Sequence, residues 1–99
     1  MYKVQLTKQS QKDAVKVEHA GLKPKALEII RTIKKNPFEE SQGFEVLTRD
    51  LKGWCSRRIN RQNRFVYQVL PNTEELKDEI GELYEGIVKV LRMWTHYEF

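Results

Sequence analysis

An α+β fold is the class this sequence predicts, and three features point to it. The first third carries two stretches of helical hydrophobic spacing, the middle alternates in strand fashion, and a further apolar strand pattern lies near the end. The expected layout is an N-terminal strand, a hairpin of two helices, then an antiparallel sheet of about four strands. Ninety-nine residues suit one domain, residues 1–99, with chain enough for a modest core.

The elements follow from local signals. Residues 2–6 read as a short strand, and Thr7 is a natural N-cap for a polar helix that runs to about His19. Ala14, Val15, Val17 and Ala20 form its apolar side, and Gly21 closes it. Pro24 sits near the first turn of a second helix, which carries Ala26, Leu27, Ile29, Ile30 and Ile33 until Asn36-Pro37 stops it. Residues 36–43 form a loop, 44–47 a short strand, and 51–54 contain a turn. Residues 54–59 and 64–70 read as antiparallel strands joined through Asn60-Arg61-Gln62-Asn63. In the second, alternation sends Phe65, Tyr67 and Val69 to one face and Arg64, Val66 and Gln68 to the other. One face packs, and the other is open to a ligand. After Pro71-Asn72 comes an acidic insertion, residues 72–86, expected as a helix or an extended surface loop, and residues 87–97 return as the last strand. Trp54, Phe65, Tyr67 and Trp94 read as core or groove-lining aromatics, Leu91 and Met93 as core.

Composition excludes several function classes. Cys55 is the only cysteine, so no intrachain disulfide and no metal site built on a cysteine pair can form; it reads as a small strand residue in a reducing compartment. His19 and His96 are too few and too far apart for a metal motif, and no glycine-rich phosphate loop or serine triad is recognisable. Residues 1–8 lack the apolar core of a signal peptide, and no apolar run approaches the ~18 residues of a membrane span. A soluble, cytoplasmic protein without a membrane partner is expected.

Charge is unevenly spread. Residues 72–86 hold six acidic residues against one lysine, a local charge of −5, which leaves +9 on the rest of a chain whose net charge is +4. Such a body attracts polyanions, with the acidic segment facing away from them. Four of the seven arginines, Arg57, Arg58, Arg61 and Arg64, fall within residues 56–67. An arginine fork matches phosphate oxygens, and a strand holds it rigidly, so the block points to RNA or DNA. The lysines of the first strand and both helices read as a solvated face or as an RNA footprint.

Glu45, His96, Tyr97 and the arginines make up an acid–base repertoire without metal. Metal-free RNA cleavage needs a base for the ribose 2′-OH, a cation on the phosphate and an acid for the 5′-oxygen, and histidine titrates in the right range. Glu45 alone would equally suit a solvated strand end, and Arg58 and Arg64 would equally suit cross-strand ion pairs.

The strings Asn36-Pro37-Phe38-Glu39, Gly43-Phe44-Glu45-Val46-Leu47, Leu51-Lys52-Gly53-Trp54, Ser56-Arg57-Arg58-Ile59, Arg64-Phe65-Val66-Tyr67 and His96-Tyr97 together resemble the Txe/YoeB family of bacterial toxins, within the RelE/ParE superfamily. The resemblance implies a RelE-like fold and a ribosome-dependent mRNA endoribonuclease. Such an enzyme enters the A site of the bacterial ribosome, cleaves mRNA, inhibits translation, and is silenced by a cognate antitoxin. It implies Glu45 as general base, Arg64 as the stabiliser of the transferring phosphate, Arg58 as its neighbouring ligand, His96 as general acid and Tyr97 as the residue that orients substrate. A 2′,3′-cyclic phosphate would be the product, with no metal or other cofactor. Arg57 and Arg61 are expected to contact RNA backbone. Operator DNA, reached through the antitoxin, and a homodimer are further expected partners. The chain departs from the family pattern at Gln62, where an acidic residue is usual, in the acidic insertion, and in Glu98-Phe99 beyond His96-Tyr97. Two alternatives keep the fold without the chemistry: a binder like the gyrase-inhibiting branch, or a catalytically decayed toxin acting through antitoxin and operator.

Overall fold

The structure is a computed structural model that describes residues 1–47 and 53–95. Strand β1 (Lys3–Leu6) leads into Thr7, whose extended backbone and side-chain oxygen, accepting from the Ser10 N–H at 3.1 Å, start helix α1 (Lys8–His19). Gly21, at φ +75°, turns the chain into α2 (Lys23–Lys35). Pro24 stands in the first turn of α2, where its missing N–H costs nothing, and Asn36 ends the helix before Pro37. Four strands follow: β2 (Glu45–Val46), β3 (Trp54–Arg58), β4 (Arg64–Leu70) and β5 (Ile87–Thr95).

All five strands form one sheet in the order β1-β5-β4-β3-β2. The last four pair antiparallel, and β1 lies parallel to β5 with Val4 beside Val88 and Leu6 beside Val90, so the sheet is mixed. The helical hairpin covers one face. Val17 of α1 and Ala26, Ile29 and Ile33 of α2 pack on Cys55, Phe65, Tyr67, Val88, Val90 and Met93. Phe65 and Tyr67 are fully buried on that face, and Val66, expected on the open face, is buried as well, so burial does not alternate along β4 as the strand pattern predicts.

Helix α1 differs from its predicted apolar side. Its buried residues are Ser10, Asp13 and Val17, while Val15 is 54% exposed and Ala20 lies at the surface. The reason is Asp13. Strand β5 shifts register against β4 on either side of the Val66–Arg92 pair, and the neighbouring backbone turns to the helix instead. Asp13 Oδ2 accepts from the Met93 N–H at 3.0 Å, the Trp94 N–H at 3.3 Å and Arg92 Nε at 2.7 Å, while Gln9 Nε2 donates to Oδ1 at 3.0 Å. A carboxylate thus binds the irregular end of β5 to α1.

Residues 72–86 form no helix, so the surface-loop expectation holds. The Asn72 side chain spans the loop, donating to the carbonyls of Leu76 and Tyr84, and Lys77 bridges Leu83. The loop leaves from the Leu70 end of β4, about 20 Å along the strand from Arg64.

Burial raises the Asp13 carboxyl, but the hydrogen bonds from Arg92, Met93, Gln9 and Trp94 outweigh it and hold it below its usual value. A carboxyl depressed in the folded state contributes stability that is fully present above its unfolded value, near 4, and fades as pH falls through the folded value. Asp13→Asn is therefore expected to cost about 2–3 kcal/mol at neutral pH. Urea unfolding between about pH 2 and 7 should show a flatter stability profile below about pH 4 for this variant than for the parent.

Candidate active site

Register decides which side chains share a face. Glu45 pairs with Ser56 across β2 and β3, and Arg58 pairs with Arg64 across β3 and β4. Directly opposed residues point the same way, so Glu45, Ser56, Arg58 and Arg64 stand together on the sheet face away from the helices. Arg57, one residue out of phase, points to the covered face.

Arg64 is held in place. Its Nε donates to Ser56 Oγ at 2.9 Å and its Nη2 to the Gly43 carbonyl at 2.6 Å, and its side chain is only 13% exposed. The same Nη2 lies 3.7 Å from Glu45 Oε2, whose side chain is 55% exposed. Among the described residues, Nη1 of Arg64 makes no hydrogen bond. An oriented guanidinium with one nitrogen unused among the described residues, next to an accessible carboxylate, has the chemistry to hold a phosphate beside a proton acceptor.

Arg58 is exposed directly opposite Arg64. Two like charges facing across a ladder repel, and an anion bound between them removes that cost. The Arg58 N–H donates to the Gln42 carbonyl at 2.8 Å, which brings the loop before β2 against β3. Gly43 adopts φ +67° there, and a Cβ at this position would stand 3.2 Å from Arg58 Cβ. An open hollow of about 330 Å³ beside Gly43 has Lys25, Arg58 and Arg61 on its walls. Arg61 is exposed in the β3–β4 turn, where Asn60 Oδ1 accepts from the backbone N–H groups of Gln62 and Asn63. Gln62 is exposed in the same turn.

Arg57 corrects the expectation of a backbone-phosphate contact: it is fully buried. Nε donates to Tyr67 Oη at 3.1 Å, Nη1 to the Ser41 carbonyl at 2.9 Å and, at 3.4 Å each, to Ser41 Oγ and Gln42 Oε1. Nη2 donates to the carbonyls of Pro37 at 3.1 Å and Glu39 at 2.9 Å. The Phe44 ring covers the guanidinium at 4.9 Å. Tyr67 Oη donates to the Pro37 carbonyl as well. No donor remains for RNA.

His96 and Tyr97 lie outside the described residues. The last described residue, Thr95, is the register partner of Arg64. Of the expected site residues, then, Glu45, Arg58 and Arg64 come together, Arg61 lies at the rim, and Arg57 is elsewhere. Ser56, Gly43 and Asp13 carry roles that the sequence reading did not assign. Strand parity is the signal that separates Arg57 from Arg58 and adds Ser56 to Glu45; nothing comparable marks Asp13.

This fold, with its sheet face of arginines and one glutamate, is that of the small RelE-like toxins. The chain belongs to the YoeB-like toxins of bacterial type II toxin–antitoxin systems, whose family model matches residues 7–97. It is similar to the YoeB/ParE toxin from Agrobacterium tumefaciens at 28% identity and a TM-score of 0.76, covering 96% of this chain and 99% of that one. Two Staphylococcus aureus structures share the fold. The YoeB dimer is 22% identical, with a TM-score of 0.72 over 97% of this chain and 98% of its own. The YoeB–YefM toxin–antitoxin heterotetramer is 23% identical, with a TM-score of 0.68 over 98% and 99%. No curated protein sequence matches the chain.

Gly43→Ala places a side chain at positive φ and against Arg58. It should cost about 1–2 kcal/mol of stability in denaturant unfolding, while Gly21→Ala, which meets nothing within 4 Å, reports the backbone strain alone.

Proposed function

We propose that this protein is an endoribonuclease that cuts mRNA in the ribosomal A site and thereby inhibits translation. The observation that supports it most is the Glu45–Arg64 pair, 3.7 Å apart on the open sheet face with Arg58 opposite. In this reading Glu45 takes the proton from the ribose 2′-OH, and the freed oxygen attacks phosphorus. Arg64 and Arg58 bind the non-bridging oxygens as their negative charge grows. The bond from phosphorus to the 5′-oxygen breaks, His96 protonates that oxygen, and Tyr97 orients the phosphate. The products are a 2′,3′-cyclic phosphate and a 5′-hydroxyl, reached with side chains alone and no metal. Arg61 adds salt-dependent affinity for RNA backbone.

The same reading supplies the partners. The S. aureus relative was captured with its antitoxin YefM, and another S. aureus structure is a dimer. For this chain we expect a cognate antitoxin whose bound segment is acidic and partly apolar and lies over Glu45, Arg58 and Arg64. Through it the pair would reach operator DNA. The site of action is the cytoplasm, where ribosomes carry message.

The test is primer extension on a defined message translated with the purified protein. Glu45→Ala, Arg64→Ala and His96→Ala should each slow cutting by about 10²- to 10³-fold. Cutting by Glu45→Ala and His96→Ala at the parent's rate would refute the assigned chemistry. An uncut message with DNA supercoiling inhibited would point to the gyrase-inhibiting alternative.

A further inference from the structure

Arg57 contributes nothing to the reacting face, yet the chain buries it completely and, among the described residues, pairs it with no carboxylate. A guanidinium removed from water without a countercharge is costly unless its donors are well used. Here all three nitrogens are used, and their acceptors are not scattered. The carbonyls of Pro37, Glu39 and Ser41 and the side chain of Gln42 follow one another along a single loop. Tyr67 closes the arrangement, accepting from Arg57 and donating to Pro37.

What that loop carries gives the clamp its meaning. The next residue, Gly43, supplies the carbonyl that orients Arg64; Phe44 lies over the Arg57 guanidinium; Glu45 follows at once. Both members of the Glu45–Arg64 pair therefore take their places from a segment fixed by Arg57 from behind the sheet. We propose that Arg57 is a positioning residue for RNA cleavage, setting the Glu45–Arg64 separation through residues 37–44. The proposal rests on the cleavage reading above. A lysine would keep the charge but lose the fork, putting one ammonium nitrogen where three guanidinium nitrogens reach separate acceptors. Displacement of a reacting group by about 1 Å can cost about 10²-fold in rate, so the loss should fall on kcat.

The experiment compares the parent with Arg57→Lys, Tyr67→Phe and Glu45→Ala. Each cleaves ribosome-bound message over a range of ribosome concentrations, and hydrogen exchange is followed on the same preparations. Arg57→Lys should lower kcat by about 10²-fold with the ribosome KM unchanged. It should also speed exchange at the Ser41 and Phe44 amides, which bond within the loop, while α1 and α2 exchange as in the parent. Tyr67→Phe, which removes one hydroxyl from the same clamp, should shift kcat and loop exchange in the same direction by less, and it carries the comparison if the lysine variant loses helix protection. A parental kcat in a variant with a loosened loop overturns the proposal, and so does a raised KM with kcat retained, which marks a direct RNA contact. Failure of the underlying reading looks different: the parent itself would then leave the message intact, whereas failure of this proposal alone leaves the parent active and Glu45→Ala inactive.

Discussion

Arg57 lies behind the sheet with its three guanidinium nitrogens donating to one loop and to Tyr67, and the placement of the opposite face follows from that arrangement. The loop makes no regular secondary structure between α2 and β2, so its course is set by these bonds and by Gly43 rather than by a ladder. β2 itself is only two residues long. A strand so short depends on the chain around it to orient Glu45, the loop before it held by Arg57 and Leu47 after it donating to the Trp54 carbonyl at 2.9 Å. The clamp also shapes its surroundings: burial pushes both the Cys55 thiol and the Tyr67 hydroxyl up, against the opposing pull of the Arg57 charge. Both stay protonated at neutral pH, Cys55 as an inert core residue and Tyr67 as a donor to Pro37.

A second buried charge does comparable work on the same face, at β5. Asp13 gathers the backbone of β5 where its register shifts, and the shift is what lets Thr95 meet Arg64. The two charges thus fix the two ends that matter, the loop entering β2 and the end of β5. The remaining charge is distributed to suit a polyanion. Lys25, Arg58 and Arg61 gather beside the site, and the acidic loop leaves from the far end of β4, where its field does not cancel theirs.

Much of this was legible in the sequence, for reasons that differ by element. The helix hairpin carried caps and stops that act locally: Thr7, Gly21, Pro24 and Asn36-Pro37. The β3–β4 hairpin carried a period of two, which put Arg64 opposite the core. The same period separates Arg57 from Arg58, but composition groups the arginines as one block, and grouping them concealed that neighbours on a strand face opposite ways. The buried side of α1 was hidden more deeply. Asp13 is polar, and its burial is explained only by the register shifts of a strand some eighty residues later in the chain. The parallel pairing of β1 with β5 is equally non-local. His96 and Tyr97, singled out by family pattern, lie outside the described residues, so the acid side of the site rests on that pattern.

In the proposed reaction, side chains on the Glu45–Arg64 face direct a ribose 2′-OH at the adjacent phosphorus. The end groups of the cut message test it most directly. Mass spectrometry of the upstream fragment should find a 2′,3′-cyclic phosphate, with a 5′-hydroxyl on the downstream one. A 3′-hydroxyl upstream with a 5′-phosphate downstream would mean that water, not the ribose, attacked, and would contradict the account.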